Sequence, residues 1–227
     1  MIVVGGYNAS RPIPIPSDGT HLVPTYTPTM PTWLALVGAY VIGSLDFAFV
    51  VAQAKGVDIT SVGSGNPGTS NVLRTLGRGP AAMVLLGDLL KGVIATTLGW
   101  LAAGGGEVAT QPLAWAAGLL AVVGHAYPIF HRFKGGKGVA TGGGVQFFTV
   151  PLVAVVIGVV WALAAKVGKV ASVASLLGLV LTIPGVLVSG VRGDSLIWFS
   201  AMLVLIIWRH RPNIQRMLAG SEEKVPT

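Results

Sequence analysis

No cysteine occurs in the 227 residues. Disulfides, thiolate nucleophiles and thiolate metal sites are therefore excluded, and the redox compartment is left unmarked. Acidic residues are nearly as scarce, with eight Asp and Glu against fifteen Lys and Arg. The loops gather no carboxylate cluster, which argues against a metal-centred mechanism. Neither a metal nor a cofactor is expected. Charged residues make up 10% of the chain, where a soluble domain carries ~25%.

Apolar residues fill that gap. They are 52% of the chain, and the mean hydropathy is +0.75. Runs of membrane-spanning length recur along most of it, so the fold class is all-α and polytopic in the membrane. The basic excess reads as loop asymmetry rather than as a nucleic-acid footprint. Residues 1–31 carry prolines at 12, 14, 16, 24, 28 and 31 and lack the pattern of a cleaved signal. They read as an extended or disordered tail. Residues 32–224 form one membrane-embedded domain.

The spans read, roughly, as 32–55, 80–103, 112–130, a short hairpin of 139–150 and 151–165 divided at Pro151, 170–190 and 195–209. That makes seven helices, two of them short. It gathers nearly all the cations, from Arg74 and Arg78 to Arg216 and Lys224, on one side. The positive-inside rule makes that side cytoplasmic, with the N-terminus outside and the C-terminus inside. Reading 139–165 as one span would put Lys166 and Lys169 outside. Asp46 interrupts the first span, where a carboxylate is costly and by default a functional candidate. Asp88 and Lys91, at i and i+3, are placed to pair within the second.

Three polar stretches fall on the cationic side. The first is 62–74, where Gly63-Ser64-Gly65-Asn66-Pro67-Gly68 leads to Asn71 and Arg74. Its glycines and proline preclude a regular helix throughout. Glycines let backbone N–H groups approach an anion, and Arg74 supplies a fork suited to phosphate oxygens. The second is 131–144, with Lys134-Gly135-Gly136-Lys137-Gly138 just before an apolar helix. Lys137 is followed by Gly138, so this is not a Walker A loop, yet a helix N-terminus and a lysine are again aimed at an anion. The third, 209–224, contains His210, Asn213 and Glu222. One such loop alone would read as a connector. Three on one face suggest two phosphates, or a substrate that is part lipid and part water-soluble.

These motifs resemble those of the bacterial PlsY family of membrane acyl-phosphate:glycerol-3-phosphate acyltransferases. The similarity runs from about residue 33 to 224. It includes Gly43-Ser44, Asp88 to Gly92, Gly124-His125 and Pro128. The family usually has Pro at the position of Asp46, an aliphatic residue at Pro67, and Ala-Thr at Thr69-Ser70. The resemblance implies transfer of an acyl group from acyl phosphate to the 1-hydroxyl of glycerol 3-phosphate, giving lysophosphatidic acid and phosphate. It also implies a multi-pass protein of the bacterial inner (plasma) membrane with its site on the cytoplasmic face, among membrane lipids and without nucleic acid. A monomer is compatible with it, and the oligomeric state is left open. Ser64, Gly63, Gly65, Asn66 and Lys137, with Lys134, Gly135, Gly136 and Gly138, are expected to hold phosphate, and Arg74 the acceptor's phosphate. Asn71, His210 and Asn213 are expected to orient the hydroxyl or the oxyanion. Ser172, Ser175 and Glu222 join the site in the seven-helix arrangement. The base is left open between His210 and a substrate phosphate oxygen. The His-x4-Asp pair of soluble-type glycerolipid acyltransferases is absent. A transporter or flippase for a phosphorylated solute or lipid is the competing reading, but no internal repeat supports it.

Overall fold

The computed structural model describes residues 28–225. Ten α-helices and two 3-10 turns make up the regular structure among these residues, with no strand. The proline-rich segment lies outside the described residues, apart from 28–31.

The first apolar run is divided into α1 (Thr32–Gly43) and α2 (Phe47–Gln53). The sequence predicts one helix here. The break lies at Asp46, whose Oδ1 accepts from the backbone N–H groups of Ala48 (3.0 Å) and Phe49 (3.3 Å). A carboxylate that caps two orphan donors starts a new helix. The interruption also frees the Leu45 carbonyl, which accepts from Lys91 Nζ at 2.9 Å. Together α1 and α2 are still long and apolar enough to cross a bilayer.

The first polar stretch becomes a loop over 62–68 followed by a short helix, α3 (Thr69–Leu76). Gly77, at φ 87°, turns the chain into the 25-residue α4 (Arg78–Ala102). Then follow α5 (Pro112–Ala126), α6 (Val139–Thr149), α7 (Pro151–Gly168), α8 (Ala171–Val188), α9 (Gly193–Arg209) and α10 (Arg211–Leu218). The expected break between α6 and α7 is present. Proline removes a donor and crowds the preceding turn, so Pro151 ends one helix and begins the next.

α4 and α5 form the centre, packed against α1, α6 and α9, while α7 lies outside against α8. Glycine sets the closest crossings. A Cβ at Gly144 would meet the Leu89 carbonyl of α4, and one at Gly92 would meet the Thr141 carbonyl of α6. Gly43 and Gly124 do the same between α1 and α5. Small residues at such crossings let helix backbones approach in a membrane. The outward faces carry exposed Leu, Val, Ile and Trp, such as Leu86, Val155 and Val204. Among the described residues, which are all-helical apart from turns and loops, five helical segments are long and apolar enough to span a bilayer. The chain is an integral membrane protein.

Candidate active site

Asn71 builds the first loop. Its Nδ2 donates to the carbonyls of Ile59 (3.2 Å) and Val62 (3.0 Å), and its Oδ1 accepts from Ser64 N–H at 3.0 Å. These bonds use both amide protons and hold the Ser64 backbone in place. Asn71 also lines the cavity, and of its amide only the second lone pair of Oδ1 is left for the expected orienting of a hydroxyl. Its work is to fix the loop. Gly63 (φ 55°) and Gly65 (φ 67°) allow the turn but do not line the cavity. Ser64 Oγ accepts from Arg74 at 3.3 Å, so the α3 guanidinium is brought back over the loop.

The second loop is held by its neighbours on both sides. Gly135 and Gly136 N–H groups donate to the Ala126 and His125 carbonyls at the end of α5. Their own carbonyls accept from the Arg209 guanidinium at 2.6 and 3.0 Å. Arg209 also lies over the Tyr127 ring, 5.1 Å from its centroid. The expectation that Gly135 and Gly136 cradle phosphate is therefore corrected. Their donors are taken, and a Cβ at either would strike the His125 region. Lys134 is exposed and does not line the cavity, whereas Lys137 and Gly138 do. Among the described residues no carboxylate lies within ion-pair distance of Lys137 Nζ. Burial lowers the Lys137 ammonium to about 8; Glu222 opposes the shift, and Arg216, Arg74 and Arg209 reinforce it.

The C-terminal segment closes the third side. His210, buried at the end of α9, has Nδ1 2.8 Å from the Ile206 carbonyl. A carbonyl only accepts, so Nδ1 carries the proton and Nε2 keeps a lone pair. Burial pushes the imidazole down to about 4, and it is neutral at pH 7. Glu222 accepts from Ser172 Oγ at 2.7 Å, from Asn213 Nδ2, and from Arg216 Nε at 2.8 Å. Burial alone would raise its carboxyl, but hydrogen bonds from Asn213, Ser172 and Arg216 hold it below the ordinary range. Asn213 Oδ1 is buried without a partner. Ser175 lines the cavity but is occupied: it donates to the Ala171 carbonyl and accepts from Trp161 Nε1. Its expected place as a phosphate ligand gives way to helix packing.

A cavity of about 410 Å³ joins these pieces. Its polar end holds Ser64, Asn66, Arg74, Lys137, His210 and Asn213, and also the first residues of two helices, Gly68 to Ser70 of α3 and Gly138 to Ala140 of α6. Helix N-termini present unsatisfied N–H groups and favour anions. Its other end is an apolar arm that includes Leu85, Phe147, Ile157 and Leu179. The start of α6 and the start of α8 both line the cavity, and the Lys169 carbonyl between α7 and α8 accepts from Val225 N–H of the C-terminal segment. Thr69 and Ser70 were not singled out from sequence. Nor was Glu223, whose Oε2 lies 2.8 Å from the Arg74 guanidinium.

Beneath the loops, Lys91 Nζ contacts Asp88 Oδ1 (2.8 Å), His125 Nδ1 (2.8 Å) and the Leu45 carbonyl. The Leu45 carbonyl and His125 Nδ1 are its hydrogen-bond partners, and the Asp88 carboxylate balances its charge. This buried cluster ties α4 to the break in the first span and to the end of α5, against which the second loop packs.

The model of one protein family, described as "Glycerol-3-phosphate acyltransferase", matches residues 33–220. A glycerol-3-phosphate acyltransferase of Halalkalibacterium halodurans is 41% identical over 219 residues, covering 85% of this chain and 95% of its own length. One of Burkholderia pseudomallei is 41% identical over 195 residues, covering 85% and 94%. Two crystal structures of PlsY (YgiH), an integral membrane glycerol 3-phosphate acyltransferase, are 37% identical and cover 86% of this chain and 96% of their own. The glycerol 3-phosphate form gives a TM-score of 0.80 and the lysophosphatidic acid form 0.78.

Proposed function

Because the chain belongs to the glycerol-3-phosphate acyltransferase family, we propose how this cavity carries out the acyl transfer and from which donor. The donor is an acyl phosphate, and the acceptor is the 1-hydroxyl of glycerol 3-phosphate. An acyl phosphate is already activated, so no acyl-enzyme is needed. The protein's task is to place two anions and to stabilise the charge that develops between them.

The observation that supports this reading most is the pairing of two cations with two helix N-termini at one end of an apolar arm. Lys137 and the start of α6 receive the acyl phosphate's phosphoryl group, with Ser64 beside them. Arg74 and the start of α3 receive the phosphate of glycerol 3-phosphate. The acyl chain lies along the arm between α4, α7 and α8. The acceptor oxygen attacks the carbonyl carbon, the bond to the bridging phosphate oxygen breaks, and inorganic phosphate leaves with the charge.

The hydroxyl proton needs an acceptor. His210, lowered to about 4, is a weak base. A phosphate monoester, whose second pKa is ~6, takes the proton more readily. His210 Nε2 and the free Asn213 Oδ1, both hydrogen-bond acceptors, then hold glycerol 3-phosphate through its two hydroxyls, with the 1-hydroxyl passing its proton to the phosphate as it attacks. α1 with α2, and α4 to α9, give seven membrane segments. The cavity faces the cytoplasm of a bacterial cell whose inner membrane holds the protein, and the C-terminus is on that side.

Phosphate release from palmitoyl phosphate, measured on purified protein with and without glycerol 3-phosphate and in chelator, tests this. The expected result is acceptor-dependent release, lost in Ser64→Ala and Arg74→Ala. Folded protein that leaves the donor intact would overturn the donor assignment. Release indifferent to both variants would overturn the site.

A further inference from the structure

The two neighbouring acids of the C-terminal segment are held very differently. Glu222 is almost enclosed and has three partners, on α8 and α10. Glu223 is 35% exposed, and its ion pair is with Arg74. The segment is pinned on either side of the pair, by Ser221 N–H to the Arg216 carbonyl and Val225 N–H to the Lys169 carbonyl. It therefore runs across the mouth of the cavity with Glu222 as its anchor and Glu223 laid on the first loop's only guanidinium.

Both Arg74 and Glu223 line the cavity. The other nearby cations are differently placed. Arg209 is spent on the carbonyls of the second loop, Arg216 on Glu222, and Lys137 has no ion-pair partner among the described residues. One phosphate site is thus ready and the other is filled by a carboxylate of the chain itself.

We propose that Glu223 is an internal competitor for the acceptor's phosphate: it occupies Arg74 until glycerol 3-phosphate displaces it, and so sets the affinity for that substrate. This rests on the assignment of Arg74 to the acceptor made above. The displaced carboxylate, half-buried with Oε2 enclosed against Arg74, swings out into water, while Glu222 keeps the segment in place. Charge at Arg74 stays balanced through the exchange. A neutral acceptor such as glycerol offers Arg74 no anion in exchange and leaves the contact in place.

The test is steady-state kinetics of full-length protein, wild type against Glu223→Gln, with each substrate varied in turn. The variant should show a KM for glycerol 3-phosphate lowered roughly two- to fivefold, the range of an exposed ion pair, and an unchanged KM for palmitoyl phosphate. Glycerol, which leaves the Arg74–Glu223 contact in place, should not gain, so its use relative to glycerol 3-phosphate should fall by a similar factor. Inorganic phosphate, titrated calorimetrically without donor, should bind Glu223→Gln more tightly by a similar factor. An unchanged or raised KM for glycerol 3-phosphate, or a folded but inactive variant, would overturn the proposal. Wild-type protein inactive with any acyl phosphate would instead overturn the donor assignment, with the phosphate titration still reporting on Glu223.

Discussion

On the proposed mechanism, Lys137 is expected to set a pH limit on the reaction. Its ammonium, lowered to about 8, is charged below that value and neutral above it, so anion binding weakens as pH rises through 8. On the low side, the phosphate that takes the proton must itself be deprotonated, near pH ~6. The kcat/KM profile is expected to be bell-shaped, with limbs near these two values. In Lys137→Arg the guanidinium stays charged, so the alkaline limb should vanish while the acid limb remains, even if the maximum falls. An alkaline limb that persists in the variant would remove Lys137 from this role. At this scale the sequence was informative about residue type and poor about duty. Ser64, Arg74, Lys137, His210 and Asn213 lie together in the cavity. Asn71 lines it too, yet its amide protons, like the Gly136 N–H outside the cavity, are spent on the loops. The difference lies in whether an amide's protons are already taken, which depends on partners such as Ile59 and His125 that no local spacing reveals.

Helix boundaries were read with similar unevenness. Pro151 carries its own steric signal, and the α6–α7 break lies at it. Asp46 within an apolar run looked like an intruding charge, because a cap is recognised by a polar flank and this one has Leu45 and Phe47 on either side. The α3 helix was hidden by the glycines that precede it. The α4–α6 crossing gives a direct test of close packing. Gly144→Ala would drive a methyl into the Leu89 carbonyl, and neither backbone can retreat without opening the second loop. The expected cost is ~1–3 kcal/mol, read as a lower melting temperature in detergent with reduced activity. Gly79→Ala, also in α4 but facing open space, should be neutral or gain ~0.5–1 kcal/mol from helix propensity. Equal melting temperatures for the two variants would show that the crossing is looser than described.

For the whole molecule, the distribution of charge bears on which end of the bundle faces the cytoplasm. The cavity end gathers the free ends of α2, α5, α7 and α9 and with them most of the cations, including Arg78, Arg132, Lys166 and Arg211. The opposite end holds Glu107, and Arg192 with its guanidinium turned back on the Leu187 and Val191 carbonyls. Insertion keeps short cation-rich loops on the cytoplasmic side, and the proposed substrates, one a water-soluble phosphate ester, reach the site from there. The same lack of cysteine that excludes thiol chemistry makes the orientation measurable, since any introduced thiol is the only one present. Arg132→Cys marks the cavity end and Glu107→Cys the other, both at exposed positions. In intact spheroplasts a membrane-impermeant maleimide should label Glu107→Cys, and label Arg132→Cys only after lysis. The reverse pattern would invert the topology and separate the site from a cytoplasmic supply of acceptor. Labelling of both in intact cells would mean a mixed insertion, which so strong a charge bias argues against.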